Sequence, residues 1–193
     1  MKEQLQDVFS RYGLPVRINA DNGAPWGSPR EPGQLSELAL WLIRLGVRVS
    51  FSSPYHLQTN GKDERFHRSL KAELLAGRSF QDLAQAQQQF DRWRHVYNHE
   101  RPHQALGMNT PASRYRASER AYPRTLPPLE YGPNDTVVKV GWLGEVRFKS
   151  KRFKVSAALK DHEIALREQP GRQGCYDVYF VHHKLREIDL REA

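Results

Sequence analysis

The 193 residues contain one cysteine, Cys175. A lone thiol excludes an internal disulfide framework and any zinc site built from several cysteines, and it suits a reducing compartment. Packing is its expected role. Long apolar runs are also lacking. No stretch approaches the roughly 20 consecutive apolar residues of a membrane-spanning helix. The longest candidate, LSELALWLIRLGVRVSF, is cut by Glu37, Arg44 and Arg48, and the opening MKEQLQDVFSRYG has no apolar signal-peptide core. A cytoplasmic protein without membrane contact is expected. No internal repeat and no motif for a small organic cofactor or small-molecule substrate is present. Acidic residues are in deficit: 22 Asp and Glu face 30 Lys and Arg, a formal charge of +8 with a pI near 9.7. That balance favours a polyanionic partner.

What is present is an alternation of elements. Leu5, Val8 and Phe9 recur at helical spacing in KEQLQDVFSRYG, which stops at Gly13. LPVRIN reads as a short strand leading to Asp21. QLSELALWLIRLG is a second helix, with Ser36 near its start and Gly46 at its end, and VRVSFSS a second strand closed by Pro54. Helices alternating with strands point to a partly parallel sheet with covering helices. In the next helix Asn60 is a candidate N-cap, and Phe66, Leu70 and Leu74 share one face. At 100° per residue Glu64, His67, Arg68 and Lys71 gather on the opposite one. SFQDLAQAQQQFDRWRHVYNHE is helical to about Asn98 and breaks at Pro102.

The stretch from Met108 to Asp135 holds five prolines, Pro111, Pro123, Pro127, Pro128 and Pro133, and reads as a linker. Beyond it the period changes to two, and TVVKVGW, GEVRFKS, KRFKVSA, HEIALRE and YDVYFVH read as five strands of a small barrel. Residues 136–160 carry Lys139, Arg147, Lys149, Lys151, Arg152, Lys154 and Lys160 against one acid, Glu145. Such a stretch suits phosphate binding or an edge kept soluble by its charges.

Several residue types carry two readings. Asp21 in ADNGAPW sits in a strong turn signal, yet it also ends a strand, where α/β proteins place ligands. Glu64 suits a helix N-terminus, with Arg68 at i+4. Asp21 and Glu64 together, flanked by Arg65, Arg68 and Lys71, suit divalent cations that hold phosphate oxygens. His95, His99 and His103 stand four apart, a spacing able to ligate zinc on a helix, but Pro102 interrupts it. Arg101 and His103 would then tie the broken helix end to the core. Trp26, Trp41, Trp93 and Trp142 read as core or interface anchors.

RINADNGAPW, HLQTNGKDERFHRSLKAEL and YNHERPHQALGMNTPASRY, in this order and spacing, closely resemble the integrase core of retroviral-integrase-like transposases from bacterial insertion sequences. The resemblance runs to about Tyr115, and the basic tail resembles the small C-terminal barrel that follows the core in one branch of the family. It implies an α/β, ribonuclease H-like core over 1–115, a Pro-rich linker over 116–135 and a small all-β, SH3-like barrel over 136–193. It implies a DDE site that binds two Mg²⁺ or Mn²⁺ ions, with Asp21 matching the second Asp and Glu64 the Glu. It further implies Asn60, Lys62, Arg65, Arg68, Lys71, Lys149, Lys151 and Arg152 as DNA contacts. The partners would be element-end and target DNA, with a homo-oligomer or a full-length transposase, on the nucleoid when bound. The family's first Asp lies on an earlier strand, and Glu3 and Asp7 sit on the helix before Asp21. The expectation is therefore an N-terminally truncated core, lacking its first strands and first Asp and inactive alone. Leu57 stands where the family usually has Pro. The other reading is a non-catalytic DNA-binding or transposase-binding module, or a decayed copy.

Overall fold

Helix α1, Lys2–Tyr12, buries Phe9 and packs Leu5 against the same core. It ends at Gly13 with φ +77°, where a Cβ would fall 2.8 Å from the Ser118 carbonyl oxygen and 2.9 Å from that of Arg120. Only glycine meets both demands. The computed structural model describes residues 1–20, 23–27, 35–51 and 61–191, so Asp21, Asn60, Pro54 and Leu57 lie outside the described residues.

Strands β1, Arg17–Ala20, and β2, Arg48–Phe51, pair in parallel with Arg17 opposite Arg48 and Ala20 opposite Phe51. Parallel neighbours need a crossover, and the segment between them contains α2, Glu37–Arg44. Its N-cap is Ser36, whose hydroxyl accepts from the Ala39 amide at 3.1 Å and donates to the Trp26 carbonyl at 2.7 Å. All six residues from Leu38 to Ile43 are buried, so this helix is enclosed on every side.

Six strands follow the proline-rich segment, where alternation predicts five. Strands β3 (Thr136–Lys139), β6 (Glu163–Glu168), β7 (Cys175–Phe180) and β8 (His183–Asp189) form an antiparallel sheet in that order, while β4 (Glu145–Phe148) and β5 (Lys151–Lys154) pair as a hairpin. Among the described residues these pairings do not close into a barrel. The added strand is β8. Val178 pairs with Arg186 but Tyr179 with Lys184, leaving Leu185 as a bulge. That extra residue separates Leu185 and Ile188 by three, which hides the period of two.

One apolar cluster unites the elements before residue 52 with those after 118. Leu42, Ile43 and Val47 join Val140, Val146, Leu159, Ile164, Leu166, Val178 and Phe180, each at most 1% exposed. These parts form one compact unit, Met1–Ser52 with Ser118–Ala193, and Ser53–Ala117 forms another.

Part of the proline-rich segment is built into the first unit. Tyr122 packs on Phe9 and Trp41, and Leu129 reaches the same core. Arg120 donates to the carbonyls of Pro15 (3.0 Å), Leu45 (2.8 Å) and Gly46 (3.1 Å). At the start of β3, Asp135 takes a two-pronged bond from Arg167 of β6, both contacts 2.8 Å.

The second unit contains α3, Gly61–Leu70, prolonged by a π-helical turn, Lys71–Leu75, and α4, Leu83–His95, prolonged by another, Val96–Glu100. Asp82 caps α4 by accepting from the Gln85 amide at 2.7 Å. Among the described residues no helix is long and apolar enough to cross a membrane.

Candidate functional site

Helix α3 is oriented by aromatic packing. Phe66 meets Trp93 edge-on at 5.4 Å and Tyr97 at 5.3 Å, Trp93 stacks on Tyr97 at 4.8 Å, and His103 packs on Tyr97 at 4.9 Å. With Phe66 held against α4, helical geometry turns Glu64 and Arg68 to the far side, about 160° from Phe66 in either direction. Lys71 follows them onto that side as the π-helical turn begins. Arg65 stands about a quarter turn from Phe66, and Lys62 on the Phe66 side. Lys62, Asp63, Glu64, Arg65, Arg68 and Lys71 are all exposed. Among the described residues Glu64, in the first turn of α3, makes no ion pair.

The carboxylate that does structural duty is Glu73. It accepts from Trp93 Nε1 at 2.9 Å and from Arg101 at 2.6 Å, and the Arg101 guanidinium lies over Tyr97 at 5.6 Å. Desolvation is the largest single influence on Glu73 and raises its pKa. The bonds from Trp93 and Arg101, with the Arg101 charge, outweigh it and hold the carboxyl below its ordinary range. Arg101 and His103 thus secure the chain after the helix break, as their sequence position suggested. His95 instead stacks on His99 at 4.9 Å and contacts Glu100 at 3.5 Å. Among the described residues no three His, Cys, Asp or Glu side chains converge as metal donors.

In the first unit the basic stretch divides by partner. Lys139 pairs with Asp161 at 3.5 Å, and the Lys160 ammonium lies over the Trp142 ring. Lys149, in the β4–β5 turn, donates to the Tyr176 hydroxyl and lies over the Tyr176 and Phe148 rings. That hydrogen bond holds its pKa above the ordinary range. An ammonium has three donors, so a phosphate contact is still open to it. Lys151 lies opposite Phe148, and Arg152 stands opposite Arg147 with both side chains exposed. Arg147 belongs to the basic stretch read from the sequence, but its position opposite Arg152 depends on the hairpin register. Trp142, read as a core or interface anchor, is 73% exposed and takes no part in the core, unlike Trp41 at 5%.

Residues 45–111 match the family model of the integrase core domain, and residues 135–193 that of the IS481 family transposase C-terminal domain. The first match takes in Glu64 and its basic neighbours, the second the β4–β5 hairpin. An integrase core fits the observed order of helices and parallel strands. The chain is 34% identical over 74 residues to a Pol polyprotein of feline endogenous virus ECE1, covering 38% of this chain and 6% of the polyprotein. It is 34% identical over 74 residues to a Gag-Pol polyprotein of baboon endogenous virus (strain M7), covering 38% and 4%. It is 32% identical over 75 residues to a Pro-Pol polyprotein of simian foamy virus type 1, covering 37% and 6%. The chain therefore spans only 4 to 6% of the length of these relatives. With an integrase core followed by an IS481-type C-terminal domain, the chain belongs to the integrase-core transposases of bacterial insertion sequences.

Proposed function

We propose that this chain serves DNA integration and recombination by metal-dependent strand transfer: hydrolysis at element ends, then attack of the freed 3′-hydroxyl on target DNA. The carrying observation is Glu64, exposed and unpaired among the described residues on the face of α3 that also bears Arg68 and Lys71, within the segment matching the integrase core. Asp21 is the second carboxylate, one residue beyond the end of β1. Hard carboxylate oxygens of this kind suit Mg²⁺ or Mn²⁺, which when bound would activate the attacking oxygen and stabilise the leaving one. Asp21 and Glu64 would hold the ions. Asn60, Lys62, Arg65, Arg68 and Lys71 would hold the DNA end, and Lys149, Lys151 and Arg152 the flanking phosphates.

The proposed organisation is a ribonuclease H-like core over 1–115 and an SH3-like module over 136–193, joined by residues 116–135, whose Arg120, Tyr122 and Leu129 pack into the first unit rather than acting as a free spacer. Glu3 and Asp7 lie on α1 rather than on a strand. The chain's partners would be element-end and target DNA and a second copy of the chain or a full-length transposase. It would act in the cytoplasm, on the nucleoid when bound.

A second reading, a non-catalytic DNA-binding module, is favoured by Arg147 and Arg152, opposed and exposed on the hairpin and without an ion-pair partner among the described residues. Duplex DNA binding followed by fluorescence anisotropy, with and without Mn²⁺, separates the two. Strand-transfer chemistry requires Mn²⁺ to tighten binding in the wild type and not in Asp21→Asn or Glu64→Gln. Binding that ignores both Mn²⁺ and these substitutions supports the second reading, and no duplex binding in moderate salt overturns both.

A further inference from the structure

The turn between β3 and β4 displays two large apolar side chains to solvent, Trp142 at 73% and Leu143 at 68% exposure. It is a rigid support. The Gly144 amide bonds the Gly141 carbonyl at 3.0 Å, the Gly141 amide bonds the Glu145 carbonyl at 2.8 Å, and the Val155 amide bonds the Gly144 carbonyl at 2.8 Å. Gly144 has φ +75°, and a Cβ there would fall 2.5 Å from the backbone of Ser156 and Ala157. A single exposed apolar residue is ordinary; two adjacent ones on a stapled turn form a preorganised tip.

Basic side chains lie around this tip, and the exposed acid next to Lys160, Asp161, is paired with Lys139 at 3.5 Å. Lys160 sits over the indole, and further along the same hairpin Arg147 and Arg152 face solvent without an ion-pair partner among the described residues. Glu145, the acid on their face, does not neutralise them. Its carboxylate lies beneath the turn, 2.7 Å from where a Gly141 Cβ would stand, with Oε2 buried and unpartnered. Leu143 lies two residues before β4 and Arg147 within it, so the apolar tip and the guanidinium pair belong to the same hairpin region.

We infer that the Trp142–Leu143 turn is a wedge that enters a base step of double-stranded DNA while Arg147 and Arg152 hold its phosphates. The inference rests on the DNA-binding reading above and extends it to a specific contact. Proteins that part a base step insert apolar side chains between bases beside Arg and Lys, and an apolar tip on a hydrogen-bonded turn with basic residues on the same hairpin offers both. A second copy of the chain suits the surface less well, because it would bring the same basic rim against itself.

The test uses the full chain and a duplex carrying 2-aminopurine, whose fluorescence rises on unstacking. The wild type should bind and raise the signal. Trp142→Ala with Leu143→Ala should abolish the rise and weaken binding about tenfold, leaving the salt dependence unchanged. Trp142→Phe should keep most of the signal. Arg147→Ala should instead reduce the slope of log affinity against log salt by about one. A double variant that melts cooperatively, binds and unstacks like the wild type overturns the wedge and leaves the DNA-binding reading standing. A wild-type dimer that the double variant breaks assigns the tip to self-association and also overturns it. A wild type that binds no duplex overturns the DNA-binding reading, and the wedge with it.

Discussion

Arg147 on β4 and Arg152 on β5 stand directly opposite one another across the hairpin, both exposed. Directly opposed side chains lie about 5 Å apart, and like charges there destabilise the pair. A free protein that keeps such an arrangement is strained in the absence of an anion. Arg147→Thr is therefore expected to raise thermal stability at low ionic strength, with a gain that shrinks as salt screens the repulsion, and to weaken duplex binding. Melting curves at two ionic strengths, read beside anisotropy titrations, check both halves. A variant less stable at low salt would show that the pair does not repel.

Arg120 is the clasp of the first unit. Its guanidinium serves three carbonyls, two of them at the C-terminal end of α2, where a cation also meets the negative end of the helix dipole. Arg120→Ala is expected to cost about 1.5–3 kcal/mol, and Arg120→Lys most of that, because an ammonium lacks the planar fork. Chemical denaturation measures both. Equal stability of wild type and Arg120→Ala would mean that the proline-rich segment is not secured by this residue.

The Glu73 contacts give a pH dependence of defined sign. Its pKa in the folded state lies below the unfolded value, so the stabilisation is present at neutral pH and is lost as pH falls through the folded value. Both side chains of the Glu73–Arg101 pair are about 40% exposed, 42% and 40%; solvent screening limits its effect to about 1 kcal/mol or less. Glu73→Gln should melt below the wild type at neutral pH, and the gap should close on acidification. A gap that is constant with pH would assign the effect to packing alone.

Much of this organisation is legible in the residues because local signals and the core agree. Ser36 and Gly46 bound α2 as spacing suggests, and β1 and β2 are found where short apolar runs precede Asp21 and Pro54. Three features were hidden. The bulge at Leu185 breaks the alternation of β8. The proline-rich segment looks like a spacer by composition, although Arg120, Tyr122 and Leu129 engage the first unit through contacts far apart in sequence. The exposure of Trp142, on the hydrogen-bonded turn between β3 and β4, is likewise encoded by no apolar pattern. For the candidate site, motif order pointed to Glu64 and its basic neighbours. Helical spacing already grouped Glu64, Arg68 and Lys71 on one face; the packing of Phe66 on Trp93 and Tyr97 shows what lies against the other.

Isothermal titration of Mn²⁺ into the purified chain tests the central claim most directly, with Asp21→Asn, Glu64→Gln and Asp63→Asn measured in parallel. Asp63 adjoins Glu64 but lies about 100° away around α3. The expected result is binding by the wild type and by Asp63→Asn, lost in both Asp21→Asn and Glu64→Gln. Equal heats from all four proteins, or no binding by the wild type, would contradict a metal-holding pair formed by Asp21 and Glu64.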